Sequence, residues 1–183
     1  MGVKFAKDRK QFGKPIAEFD LIRKKIGDIA TLIYVSEAMG FRTAGLLDAR
    51  WKAVDPKDPA AQKKQLDAVE EYAIEASIIK VFGSEMLHHT ADETLQVFGG
   101  AGYIEDYPIE RASRDARINR IFEGTNEINR LLVPGTMLKR ALTGKLPLMQ
   151  RVGEVQGELS DPIKIGRRVP EGPLGRERKK CDY

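Results

Sequence analysis

Cysteine is nearly absent from this 183-residue chain. Cys181 stands alone, so an intrachain disulfide and a cysteine metal cluster are both excluded, and a reducing compartment is expected. Long apolar runs are missing too: none approaches the roughly 20 residues that a membrane span requires. The opening "MGVKFAKDRK" lacks the apolar core of a signal peptide, so export is not expected either. Gly2 follows Met1, but Lys7 stands where a myristoylation motif wants Ser or Thr. Charge of one sign is scarce, since 31 Lys and Arg against 27 Asp and Glu leave a formal +4. The excess gathers in Arg167, Arg168, Arg176, Arg178, Lys179 and Lys180, which among Pro and Gly read as a solvated, disordered tail rather than a nucleic-acid-binding surface.

Almost nothing reads as a strand, and helical spacing takes its place. Phe19, Ile22, Ile26, Ile29, Ile33 and Ala44 mark one long helix from Ile16 to about Leu47, with Pro15 near its first turn. Asp55-Pro56 and Asp58-Pro59 then predict a loop, because proline drives the preceding residue out of helical geometry. A second long helix is expected from about Ala60 to Phe98, stopped by the glycines of "FGGAGYIEDYP". Pro108 starts a third helix to about Phe122, and a fourth runs from about Asn126 to Leu142. The expected fold is therefore all-α, an antiparallel four-helix bundle over residues 1–143. Residues 144–183 form an extension that becomes an irregular basic tail from about 160.

Several candidate sites fail on inspection. Gly100 and Gly102 begin a dinucleotide-binding pattern, but Glu105 stands at its third glycine and a helix precedes it, which leaves only modest anion binding at the turn. His88 and His89 are adjacent on a helix, point about 100° apart and have no partner at ligand spacing, so no metal is assigned. Ser77, Ser84 and Ser113 lack the strained turn of an activated nucleophile.

Glu123-Gly124-Thr125 is different, because it cuts a helical pattern between Ile118, Ile121 and Phe122 on one side and Ile128, Leu131 and Leu132 on the other. A carboxylate at such a break, beside Ile121 and Phe122, gains a poorly hydrated surround of the kind that strengthens a base against a weak carbon acid. Gly124 lets a ligand approach the backbone, and Thr125 or Asn126 can cap the next helix. Periodicity alone favours a plain capping junction with an exposed glutamate.

Three linked motifs, "RKQFGKPIAEF", "ETLQVFGGAGYIEDYPIERASRDARI" and "IFEGTNEINRLL", resemble in order and spacing the C-terminal helical domain of the acyl-CoA dehydrogenases. The similarity covers about Phe5 to Leu142 and is greatest to the very-long-chain branch, with "GKLPLMQ" continuing in its manner. It implies FAD as cofactor, fatty acyl-CoA as substrate, a trans-2-enoyl product and an electron-transfer flavoprotein as acceptor. It also implies a homodimer or homotetramer in the bacterial cytoplasm or mitochondrial matrix, with the N-terminal helical and middle β-domains supplied by segments that this chain does not carry. Glu123 matches the family's catalytic base, whose own amide also binds the thioester oxygen, so Glu123 and Gly124 are the expected substrate contacts. Thr125 and Glu127 match positions near the flavin ribityl and phosphates, Glu127 replacing a common glutamine. Arg9, Gln11, Phe12, Gln96 and Gly100 match the group that reaches the partner subunit's FAD, with Gln11 in place of a frequent threonine. A helical oligomerisation module without flavin, and an oxidase relative that reacts with oxygen, are the competing expectations.

Overall fold

The computed structural model describes residues 1–159, so the basic tail expected from about 160 lies outside the described residues. The all-α architecture expected from the periodicity is what the chain forms, with one small hairpin added.

The order begins with α1 (Gly2–Asp8) and a two-stranded antiparallel hairpin, β1 (Lys10–Gln11) and β2 (Lys14–Pro15), registered Lys10 to Pro15 and Gln11 to Lys14. Phe12 (φ +53) and Gly13 (φ +83) form its two-residue turn. Two successive positive φ angles match the right-handed twist of paired strands. A phenylalanine at the first of these positions is unfavourable, and neither α1 nor the hairpin follows from hydrophobic spacing.

A 3₁₀ turn at Ile16–Glu18 leads into α2 (Asp20–Lys52), so the first long helix starts and ends a turn later than its apolar stripe suggests. The loop that follows is set by its aspartates: Asp55 and Asp58 accept from the backbone amides of Lys57 at 2.9 Å and Ala60 at 2.8 Å. Such self-bonded aspartates stabilise turns locally.

The second long helix is not continuous. It divides into α3 (Ala61–Glu71) and α4 (Ala73–Phe98) at Tyr72, whose φ −94 and ψ 16 leave helical geometry. No glycine or proline marks this break, and it coincides with contacts to the end of α2. Trp51 Nε1 donates to the Gln65 carbonyl at 3.2 Å, and the Arg50 guanidinium lies 5.8 Å from the centre of the Tyr72 ring, fixing α3 against the end of α2.

Helix α4 is the axis of the fold, packing against α1, α2 and α5. Its buried positions are mostly small, Ser77, Ser84, Thr90 and Ala91, which lets neighbouring helices approach closely. At its C-terminal end Phe98 stacks on Phe5 of α1, ring centres 4.0 Å apart, and Tyr107 meets both rings edge-on. Gly99 (φ +60) stops α4 where expected, a 3₁₀ turn Gly99–Tyr103 follows, and Pro108 caps α5 (Ile109–Ile118). The third helix thus ends four residues before Phe122, leaving 119–125 as a turn before α6 (Asn126–Leu142).

Contacts divide the chain into two compact units, Met1–Thr136 and Met137–Tyr183, with the boundary inside α6. Within the second unit, the Thr143 amide bonds to the Lys139 carbonyl at 3.0 Å and Gly144 (φ +72) ends α6. Helix α7 (Leu148–Leu159) follows, with Arg151 paired to Glu154 at 2.7 Å.

Candidate active site

The break at Glu123 is a true reversal of the backbone. Glu123 (φ +54) and Gly124 (φ +78) are consecutive left-handed residues, and Glu123 is one of two non-glycine residues with positive φ among those described. That conformation costs of the order of 1–3 kcal/mol in a residue with a side chain. The preceding chain winds down through bonds from the Ile121 and Phe122 amides to the Ile118 carbonyl, and the Asn126 amide closes the loop on the Arg120 carbonyl at 3.1 Å. Among the described residues, the Glu123 amide donates to no carbonyl, and its carboxylate is exposed.

The expected apolar surround is not closed by the described residues. Ile121 and Phe122 are 49% and 47% exposed, because α5 has already ended and little among the described residues covers them. A dry pocket at Glu123 therefore requires surface beyond these described residues.

Thr125 caps α6, its hydroxyl accepting from the Ile128 amide at 3.3 Å. Asn126 does not serve as the cap. It is 1% exposed and tied to α4: its Nδ2 donates to Ser84 Oγ at 3.0 Å and Glu85 Oε1 at 3.2 Å, and its Oδ1 accepts from Lys80 Nζ at 2.8 Å. Lys80 Nζ also donates to the Gly124 carbonyl at 2.7 Å, as does Asn129 Nδ2 at 2.9 Å. Bonds to a charged donor are each worth roughly 1.5–3 kcal/mol, enough to hold a strained turn. Arg130 completes the clasp by pairing with Glu85 at 2.8 Å. Burial pushes the Glu85 carboxyl up, but hydrogen bonds from Asn126 and Arg130, with the charges of Arg130 and Arg120, outweigh it and hold the group below its usual range.

Glu127 turns back on the start of its own helix. Bonds from its own amide and the Thr125 hydroxyl, with the nearby charges of Arg130 and Arg120, hold its carboxyl below the ordinary value. Carboxylates are favoured at this helix end, which accounts for a glutamate here without any ligand.

The second expected group gathers at the other end of α4. Arg9, Gln11 and Gly100 line one groove of about 380 Å³, floored by Phe5, Ile16 and Phe98. The hairpin makes this possible, since the Ile16 amide bonds to the Arg9 carbonyl at 2.8 Å and folds Gln11 back toward the glycine turn. Phe12 does not line the groove: it stands 92% exposed at the hairpin tip, edge-on to Phe19 at 6.1 Å. Gln96 is exposed on the last turn of α4, its carbonyl capped by the Gly99 amide. From Lys80, beside Gly124, to Phe98 at the end of α4 is 18 residues, or roughly 27 Å along its axis. The two groups therefore occupy separate places in one chain.

Spacing alone missed Lys80, Glu85, Asn129 and Arg130. Their signal is faint but present: Lys80, Ser84 and Glu85 interrupt the apolar run from Ile78 to Leu87 on one side of α4.

A charged helical break carrying a carboxylate, and a basic groove beside a glycine turn, sit on a helical scaffold that known proteins share. The family described as acyl-CoA dehydrogenase, C-terminal domain, matches residues 2–138, and the chain belongs to it. A probable acyl-CoA dehydrogenase of Bacillus subtilis is 48% identical over 155 residues, 85% of this chain and 26% of that protein. The rat mitochondrial very long-chain specific acyl-CoA dehydrogenase is 38% identical over 88% of this chain and 23% of its own length. The crystal structure of a Bacillus anthracis acyl-CoA dehydrogenase complexed with FAD superposes with a TM-score of 0.82 at 47% identity, covering 87% of this chain and 27% of that one. The chain thus spans about a quarter of the length of these relatives.

Proposed function

We propose that this chain supplies the base-bearing helical domain, residues 1–143 with 144–183 as an extension, of an FAD-dependent acyl-CoA dehydrogenase. The carrying observation is the state of Glu123: left-handed backbone, an exposed side chain and an amide that meets no carbonyl among the described residues, followed by a glycine. A carbon acid α to a thioester needs a base for its proton and a donor for the oxygen that becomes enolate-like. Glu123 offers both from a single residue, the carboxylate taking the α proton and the amide donating to the thioester oxygen. FAD supplies the acceptor for the hydride that leaves the β carbon. The product is a trans-2-enoyl-CoA, and the electrons pass on to an electron-transfer flavoprotein.

The groove of Arg9, Gln11 and Gly100 fits the phosphate end of that cofactor, because a guanidinium pairs bidentately with phosphate oxygens and a glycine turn lets the backbone approach. Its place at the far end of α4 from the base supports service to a second subunit's FAD, while Thr125 serves the chain's own and Gly124 meets the substrate beside Glu123. We assign Phe12 and Gln96 to the same shared contact, each being exposed and next in sequence to a residue that lines the groove, Gln11 and Val97. Glu127, turned onto its own helix, plays a capping part within this site. A homodimer or homotetramer in the bacterial cytoplasm or mitochondrial matrix follows from this reading.

Glu123→Gln tests it in an enzyme completed with the remaining domains of a close relative. FAD and acyl-CoA should still bind, while anaerobic stopped-flow reduction of the flavin by substrate should slow by roughly 10² to 10⁴. Slowing of less than about tenfold would end the assignment of Glu123 as the base.

A further inference from the structure

The turn that presents Glu123 has little apolar burial to hold it, with Ile121 and Phe122 half exposed and Glu123 and Gly124 exposed. Two successive left-handed residues persist only where their surroundings fix them. Here the fixing bonds converge on one carbonyl, that of Gly124, which accepts from Lys80 Nζ at 2.7 Å and Asn129 Nδ2 at 2.9 Å. Asn129 lies on the helix that follows the turn and moves with it. Lys80 lies on α4 and anchors the turn from outside. Its ammonium also reaches Asn126 Oδ1 at 2.8 Å, and Asn126 is locked at 1% exposure by Ser84 and Glu85.

We propose that Lys80 is a positioning residue for Glu123. By holding the Gly124 carbonyl and the Asn126 side chain together against α4, it fixes the left-handed turn and with it the direction in which the Glu123 carboxylate and amide face. The inference rests on the reading of Glu123 as the base. Lys80 acts by geometry: both atoms it touches are neutral amide oxygens, and a compact ammonium on a long stem can meet two acceptors at once. Methionine at this position keeps most of the stem's packing and removes every donor.

Amide exchange in the full 183-residue chain reads the clasp directly, since the Asn126 amide closes the turn on the Arg120 carbonyl. In Lys80→Met the Asn126 amide should exchange at least about tenfold faster, with the amides of Thr90 to Val97 in α4 unchanged. In the completed, flavin-loaded enzyme the same variant should slow flavin reduction by about tenfold or more while acyl-CoA affinity stays within about twofold, and Lys80→Arg should restore most of the rate. Asn126 exchange within about twofold of wild type overturns the proposal. So does acceleration spread evenly along α4, which marks a scaffold role, and so does a normal reduction rate in Lys80→Met where Glu123→Gln is slowed. If Glu123→Gln reduces flavin at the wild-type rate, the base assignment falls instead, and the exchange result alone decides whether Lys80 holds the turn.

Discussion

Gly102 leaves no room for a side chain: a Cβ there would stand 2.6 Å from Phe98 Cβ and 2.9 Å from the Leu95 carbonyl oxygen. Both are fixed, one in the aromatic cluster and the other in the last turn of α4. Gly102→Ala should therefore destabilise the chain by about 1–3 kcal/mol, the scale of overpacking a tight site. Gly45→Ala serves as the contrast, because it lies within α2 with nothing within 4 Å of a built Cβ and should gain up to about 1 kcal/mol from helix propensity. Thermal melts of the two variants check both signs, and a neutral Gly102→Ala would mean that the glycine turn yields. At this scale the sequence was informative about Glu123. A carboxylate and a glycine between two apolar sets announce a break, but the left-handed sign of φ at Glu123 could not be read, since an acidic residue adopts it only when neighbours hold it.

Between elements, α4 and α6 are joined by polar groups. Glu85 has its carboxyl held below the ordinary glutamate range: burial opposes this, while Asn126 and Arg130 outweigh burial. A depressed folded value means that the ionised group adds stability above its unfolded pKa of roughly 4.3, and that this is lost as pH falls through the lower folded value. Glu85→Gln should lower the melting temperature by a few degrees at pH 7, and the gap to wild type should narrow toward pH 3. Parallel melting curves across that range would show that the Glu85 charge contributes nothing. Helix α6 was legible from Asn126 to Leu142 because its apolar spacing and its start signal agree. The division at Tyr72 was not, because no glycine or proline marks it and it falls where Trp51 and Arg50 arrive from α2.

For the whole molecule, the 33 residues of α2 include none that is buried, although Leu21, Tyr34 and Phe41 are 76%, 72% and 77% exposed. Isolated side chains of this kind are ordinary, but a long helix that packs on α4 and still has no fully buried position leaves apolar surface that a second copy can cover. Residues 1–183 should accordingly form dimers or larger assemblies at tens of micromolar, and Phe41→Glu should weaken them. Light scattering that shows a monodisperse monomer for the unaltered chain would count against this.

Composition and periodicity determined the helical class, the stop at Phe98, the start at Pro108, the full extent of α6 and the place of the carboxylate at a helix break, because each depends on local backbone preference or on a repeat of apolar side chains. What only the tertiary structure decided is how distant residues meet. Gln11 joins Gly100 because a hairpin with an unfavourable turn residue folds it back. Asn126 leaves its capping position for a buried clasp with Ser84 and Glu85, and Lys80 reaches Gly124 across 44 residues of chain. Those pairings carry no periodic signature, since a hydrogen bond between elements depends on where each element docks.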